Sequence, residues 1–249
     1  MDLKTEHVNL NVSDGTFMRA YVARPAEQPR AAMLVFQEAF GVNAHIRDVT
    51  ERFARQGYLA ISPELFHRSA SPGFEGSYTD FAGVMPHMRA LTDAGLEADI
   101  RAAYDWLQNS SGVRNLPTGA VGYCMGGRVT TLAATIIPVA CGISYYGGGI
   151  APNPMSPGML GRIKDLRAPM LFFWGGLDQH ITGDQVQAVV QALRAADKPY
   201  VNVEFSKADH GFFCDARASY NAAAAAEAWA LTLAFLNTNL AGQTRIAGA

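Results

Sequence analysis

The chain predicts a single α/β domain: a mostly parallel central sheet of about eight strands, with helices on both faces and an antiparallel hairpin at the N-terminus. Three observations point there. Short apolar runs such as "AAMLVF" (31–36), "YLAIS" (58–62) and "PMLFFWG" (169–175) have the near-continuous hydrophobicity of parallel strands covered on both sides. They alternate with segments of helical periodicity, the signature of strand–helix–strand units with right-handed crossovers. Residues 7–22 instead alternate apolar and polar side chains around Ser13-Asp14-Gly15, as a half-buried hairpin does.

Taken in order, His7–Val12 and Phe17–Val22 are the two hairpin strands, and 31–36 is the first fully covered strand. Residues 44–56 place Ile46, Val49 and Phe53 on one stripe, with Gly57 as the stop. After "YLAIS" and Pro63, residues 64–92 carry Pro72, Gly73, Gly76, Gly83 and Pro86. They are expected to form a long irregular excursion, which in a compact domain is usually functional or mobile. A helix over about 93–109 aligns Leu96, Ile100, Tyr104 and Leu107. "GAVGY" (119–123) is a strand running into a turn and a helix from about 126; "VACGISYY" (139–146) is the next strand, and 147–161 is a loop. A helix across 184–196 separates "PMLFFWG" from the strand "VNVEF" (201–205). An alanine-rich helix covers about 219–237, and 241–249 is expected to fray. No repeat or linker interrupts the pattern, so one domain over 1–249, with its core at about 31–237, is expected.

Composition narrows the function. The 249 residues are 49% hydrophobic and 17% charged, enough to bury a core without a metal or disulfide staple. A formal charge of −2 and no basic run argue against nucleic acid. Cys124, Cys141 and Cys214 form neither a disulfide framework nor a zinc ribbon, and there is no CxxC. The polar start "MDLKTEHVNLNVSDG" lacks the apolar heart of a signal peptide, and no run reaches the roughly 18 apolar residues that span a bilayer. A reduced cytoplasmic protein, with no membrane, metal or cofactor requirement and a monomeric or weakly dimeric state, is expected.

Ligand sites of such sheets lie beyond the carboxyl ends of the strands. The polar residues found there are Glu38 after "AAMLVFQ", Cys124 after "GAVGY", Asp178 after "PMLFFWGG" and His210 after "VNVEFSKAD". The last three follow the order nucleophile, acid, base, which is that of α/β-hydrolases. Gly122-Tyr123-Cys124-Met125-Gly126 has the glycine bracket of a nucleophile elbow, where a strained strand-to-helix turn demands small neighbours two residues either side. The same turn would present the Met125 N–H at a helix start. Taken alone, the bracket also fits a buried thiol in a packing turn. The glycines miss the GxGxxG spacing, and Arg128-Val129 replaces the Lys-Ser/Thr of a P-loop. His180, two residues after Asp178, competes with His210 for the base but breaks the usual order. Asp184 competes for the acid, but its place before a helix suits an N-cap. Glu38, by itself, is an ordinary strand-end carboxylate.

Together these segments resemble the dienelactone hydrolase (carboxymethylenebutenolidase) family of the α/β-hydrolase fold. The resemblance rests on "QEAFGVNAHIRDVTERFARQGYLAISPELF", "VGYCMGGR", "SYYGGG", "WGGLDQHI" and "ADHGFFCD", and extends over about 31–235. It implies that Cys124 is the nucleophile in a triad with His210 and Asp178. It further implies that Glu38 contacts the resting thiol and that the Ala39 N–H joins that of Met125 as the oxyanion hole. Phe40, Tyr146, Arg89 and Arg217 become candidate substrate-binding residues. One departure stands out: members specialised for dienelactone carry an arginine four residues after the histidine, and here that position is Cys214. The expected activity is cofactor-independent hydrolysis of a small ester or lactone. The alternatives are a cysteine peptidase or acyl transferase on the same fold, or a non-catalytic binding protein that retains the pocket.

Overall fold

The computed structural model describes residues 3–110 and 112–241. The chain divides into two compact units, Met1–Gly119 and Ala120–Ala249. In the first, β1 (Lys4–Asn11) and β2 (Phe17–Arg24) pair antiparallel from Lys4↔Arg24 to Asn11↔Phe17. The turn between them is pinned by Asp14, whose Oδ1 accepts from the Thr16 amide (3.1 Å) and hydroxyl (2.6 Å). β3 (Ala31–Phe36) is buried at all six positions, as its unbroken apolar run predicts. Then come α1 (Ala44–Arg55), β4 (Tyr58–Pro63), α2 (Phe81–Ala90) and α3 (Asp93–Asn109). α1 is capped by Asn43, which accepts from the Ile46 amide at 3.2 Å, and its Ile46, Val49 and Phe53 are fully buried on the expected stripe.

The second unit continues from β5 (Thr118–Tyr123) through α4 (Met125–Ile136), β6 (Cys141–Tyr145) and a 3₁₀ turn at Leu160–Asp165. β7 (Met170–Gly175), α5 (Gly183–Ala195), β8 (Tyr200–Phe205) and α6 (Ala222–Ala241) complete it. The eight strands form one sheet in the order β1-β2-β4-β3-β5-β6-β7-β8, with helices around it. β2 meets β4 antiparallel, while β3–β4, β6–β7 and β7–β8 are parallel. This is the mostly parallel sheet with an N-terminal hairpin that the sequence predicts.

Three expectations need correction. The excursion at 64–92 is not irregular throughout, because residues 81–90 form α2. Gly83 and Pro86 are local breakers, but Asp80 caps the helix by accepting from the Gly83 amide at 3.0 Å. Val84 is fully buried with Phe40, and Phe74, Tyr78 and Met88 pack against them. Burial at Val84 and Met88 overrides propensity. Second, α5 is capped by Thr182, not Asp184: the Thr182 amide donates to Gln185 Oε1 at 2.9 Å, and Asp184 lies in the first turn. Third, α6 starts at Ala222, where Asn221 Oδ1 accepts from the Ala224 amide at 3.1 Å. The fraying expected of the tail falls, from 242 on, outside the described residues. Among the described residues, no helix is long and apolar enough to cross a membrane.

Candidate active site

Within Ala120–Ala249, three strand ends deliver a thiol, a carboxylate and an imidazole. Cys124 follows β5 with φ +54° and ψ −120°, a region that residues other than glycine rarely occupy, and it forms the N-cap of α4. Its amide donates to the Tyr145 carbonyl at 3.0 Å, and its own carbonyl accepts from the Gly127 amide at 2.9 Å. The strain is thus held by the neighbouring strand and by the first helical turn. A β-carbon at Gly122 would run into the Gly126 carbonyl and lie 2.6 Å from the Thr130 hydroxyl, so the elbow admits only glycine there. The Met125 amide sits in the first turn of α4, where backbone N–H groups have no acceptor within the helix.

Asp178 and His210 are brought together by the loops that leave β7 and β8. The Gly176 amide donates to the Phe205 carbonyl and the Leu177 amide to the Ala208 carbonyl, both at 2.9 Å. Beyond these rungs, His210 Nδ1 and Asp178 Oδ2 are 2.7 Å apart. Oδ1 of the same carboxylate accepts the amides of His180 (2.7 Å) and Ile181 (3.0 Å). The loop that follows His210 is anchored by Phe213, whose ring stacks on Tyr123 at 5.4 Å and lies 4.9 Å from Tyr145. That anchor ties the histidine loop to the residue before Cys124.

The electrostatics follow from this geometry. Burial on its own would push the His210 pKa down. The negative charge of a Cys124 thiolate, hydrogen bonds to Asp178 and Cys124, and the Asp178 charge together outweigh burial and push it up to about 10. With Nδ1 committed to Asp178, the remaining ring nitrogen serves Cys124. For Asp178, burial opposes ionisation, yet the His210 hydrogen bond and charge and the two loop amides hold its pKa below the ordinary carboxylate value. Such an arrangement can set a sulfur nucleophile beside a proton donor. His180 is placed as a neighbour of His210 and offers Asp178 only its backbone.

The other expected site residues lie as follows. Tyr146 is fully buried just after β6 with φ +38°, and its ring centroid is 5.1 Å from that of His210. Arg217 is half-buried, and its guanidinium packs on Gly211, whose φ is +80°; a β-carbon there would collide with it. In Met1–Gly119, Glu38 is a fully buried carboxylate just beyond β3, and Ala39 and Phe40 follow it, also buried. Phe40 packs edge-on against Tyr78 at 4.7 Å and accepts the Gly76 amide at its carbonyl. Arg89 is exposed in the last turn of α2. Sequence reasoning missed α2 as part of this region, because Gly83 and Pro86 outweigh the cap at Asp80 and the stripe of Phe81, Val84 and Met88. It also treated His180 only as a rival base. Contact between its ring and His210 has no signal at a separation of thirty residues.

Comparison with known proteins gives the family. The model of the dienelactone hydrolase family matches residues 18–240. A "putative carboxymethylenebutenolidase" of Synechocystis is 37% identical over 248 residues, covering 96% of this chain and 99% of that protein. One from Escherichia coli K12 is 37% identical over 229 residues, covering 87% of this chain and 81% of that protein. Among solved structures, a "putative dienelactone hydrolase" from Klebsiella pneumoniae superposes with a TM-score of 0.84 at 32% identity, covering 94% of this chain and 98% of that one.

Proposed function

This chain belongs to the dienelactone hydrolase family and is a hydrolase acting on esters or lactones, and we propose that it works through a Cys124–His210–Asp178 triad. The observation that supports this most is the double engagement of His210, held by Asp178 at 2.7 Å and hydrogen-bonded to Cys124, with its pKa pushed up to about 10. In the proposed cycle the thiolate attacks the carbonyl carbon, and the C–O π electrons move onto oxygen. The Met125 amide takes the oxyanion, helped by the Ala39 amide, and Glu38 tunes the resting thiol; these last two roles rest on the family resemblance. Collapse expels the alkoxide, which takes the proton of His210. The acyl-thioester is then attacked by water, whose proton returns to His210, and the acid leaves with the thiolate restored.

Because a thioester deacylates slowly unless water is well activated, activated esters and enol lactones suit this cycle best. The carboxylate-gripping arginine of dienelactone specialists is replaced by Cys214, which is buried. A small neutral ester or lactone is therefore the proposed substrate, ahead of dienelactone itself. The test is hydrolysis of p-nitrophenyl acetate by wild type, by Cys124→Ala and by iodoacetamide-treated enzyme. Loss of turnover in the last two, with an unchanged circular dichroism spectrum, is expected. A folded Cys124→Ala variant within a few-fold of wild type sinks the triad.

A further inference from the structure

Besides Cys124, three groups among the described residues of its own unit flank His210. Asp178 holds Nδ1 at 2.7 Å, and Tyr146 stands edge-to-face at 5.1 Å with its ring tilted by 61°. The third is His180, whose ring centroid lies 5.4 Å away, inclined by 81°. Tyr146 is fully buried, whereas His180 is exposed. Hydrogen bonds at its two nitrogens fix the position of an imidazole but leave it a rocking motion about the line that joins them. Rings on its flanks remove that freedom, and edge-to-face contacts at this range are attractive as well as restrictive.

We infer that His180 is a positioning residue: its ring is the solvent-side jaw of a clamp, with Tyr146 as the inner jaw, that keeps the free nitrogen of His210 on Cys124. This rests on the triad proposed above and adds a residue to it. The backbone argues that the side chain has a separate task. The His180 amide already donates to Asp178 Oδ1 at 2.7 Å, and every side chain but proline leaves that bond in place. Substitutions at 180 therefore remove the jaw without removing the support of the carboxylate. The clamp needs a ring but no proton, so phenylalanine should replace histidine, and alanine or glutamine should not.

The experiment compares wild type with His180→Ala, His180→Gln and His180→Phe in two measurements. One is steady-state hydrolysis of p-nitrophenyl acetate; the other is the pH profile of Cys124 alkylation by iodoacetamide. In the alanine and glutamine variants kcat is expected to fall about five- to tenfold with KM within twofold, since small misplacements of a reacting group are costly. Their alkylation profiles should move to higher pH, because a looser His210 stabilises less thiolate. The phenylalanine variant should restore both. The glutamine variant carries the comparison should the alanine variant not fold. If His180→Ala and His180→Gln match wild type in both measurements, or if His180→Phe is as impaired as they are, the clamp is wrong. A wild-type Cys124 no more reactive at pH 6 than a free thiol would remove the triad itself, and the clamp with it.

Discussion

Two histidines in this molecule lean on buried aspartates, and the two pairs differ in what else holds the carboxylate. His67 Nε2 lies 3.0 Å from Asp99 Oδ1, and Asp99 is fully buried on α3. His210 Nδ1 lies 2.7 Å from Asp178 Oδ2. Asp99, however, is gripped on both oxygens by Arg68, at 2.9 and 2.8 Å, and Arg68 reaches on to Asp14 at 2.8 Å. The guanidinium fork matches the carboxylate charge, and His67 is an additional donor or acceptor at its edge. Its Nδ1 is buried with no hydrogen-bond partner among the described residues. At Asp178 the additional partners are two neutral amides, so the carboxylate charge is available to His210, whose other nitrogen meets a thiol. A histidine–aspartate contact is therefore not a site in itself. What separates the pairs is an unmatched carboxylate on one side and a thiol on the other.

The strongest way to break this contrast is to cut both pairs. His210→Ala and Asp178→Asn should each lower kcat for p-nitrophenyl acetate by about 10³ or more, as removal of a base or its orienting acid does in such triads. His67→Gln should leave kcat within about threefold. A fall in the His67 variant comparable to that of His210→Ala, in folded protein, would erase the distinction between the two pairs.

Asp99→Asn sharpens the same point from the side of stability. It leaves the Arg68 guanidinium facing a neutral amide, and breaking a buried pair costs on the order of 3 kcal/mol, somewhat less where one partner is partly exposed, as Arg68 is. The urea midpoint should drop accordingly while kcat of the remaining folded enzyme stays near wild type. If stability is unchanged, the Arg68–Asp99 fork is not what fastens this segment.

The elements that the sequence displays most clearly are those whose signal is local. β3 needs only its apolar run, α1 only the Ile46–Val49–Phe53 stripe and its terminal glycine, and the elbow only the bracket around Cys124. The order of Cys124, Asp178 and His210 along the chain was legible for a related reason, since parallel strands put their carboxyl ends on one edge of the sheet. α2 was hidden because Gly83 and Pro86 outweigh a stripe whose value lies in contacts with Phe40 and Phe74. The Arg68–Asp99 and His67–Asp99 contacts span 31 and 32 residues, and nothing in the local pattern pairs those side chains. The same holds for the rings that flank His210.

The third test reads charge directly. The His210 ring should keep its proton through neutral pH and lose it as pH rises through about 10, far above the ordinary value of 6.5. In Cys124→Ala the thiolate charge and its hydrogen bond are gone, while burial still opposes the charged ring. The midpoint must then move down, and it is measured from the pH dependence of the His210 Hε1 resonance. A midpoint unchanged by the substitution would mean that Asp178 alone sets the charge. The two histidine pairs would then differ less than their surroundings suggest.

The smallest effect concerns the neighbouring acid. Asp184 lies six residues beyond Asp178, exposed in the first turn of α5, where Thr182 and Gln185 already serve the cap. Its carboxylate can act only on the positive end of the helix dipole, worth about 0.3–1 kcal/mol and screened by salt. Asp184→Asn should therefore leave kcat and KM within about twofold and shift the urea midpoint slightly, and the shift should vanish in high salt. Asp178→Asn carries the same chemical change to a carboxylate that a histidine and two amides depend on, with the thousandfold loss expected above. If the two variants were equally impaired, the acid would not be identified by its contact with His210.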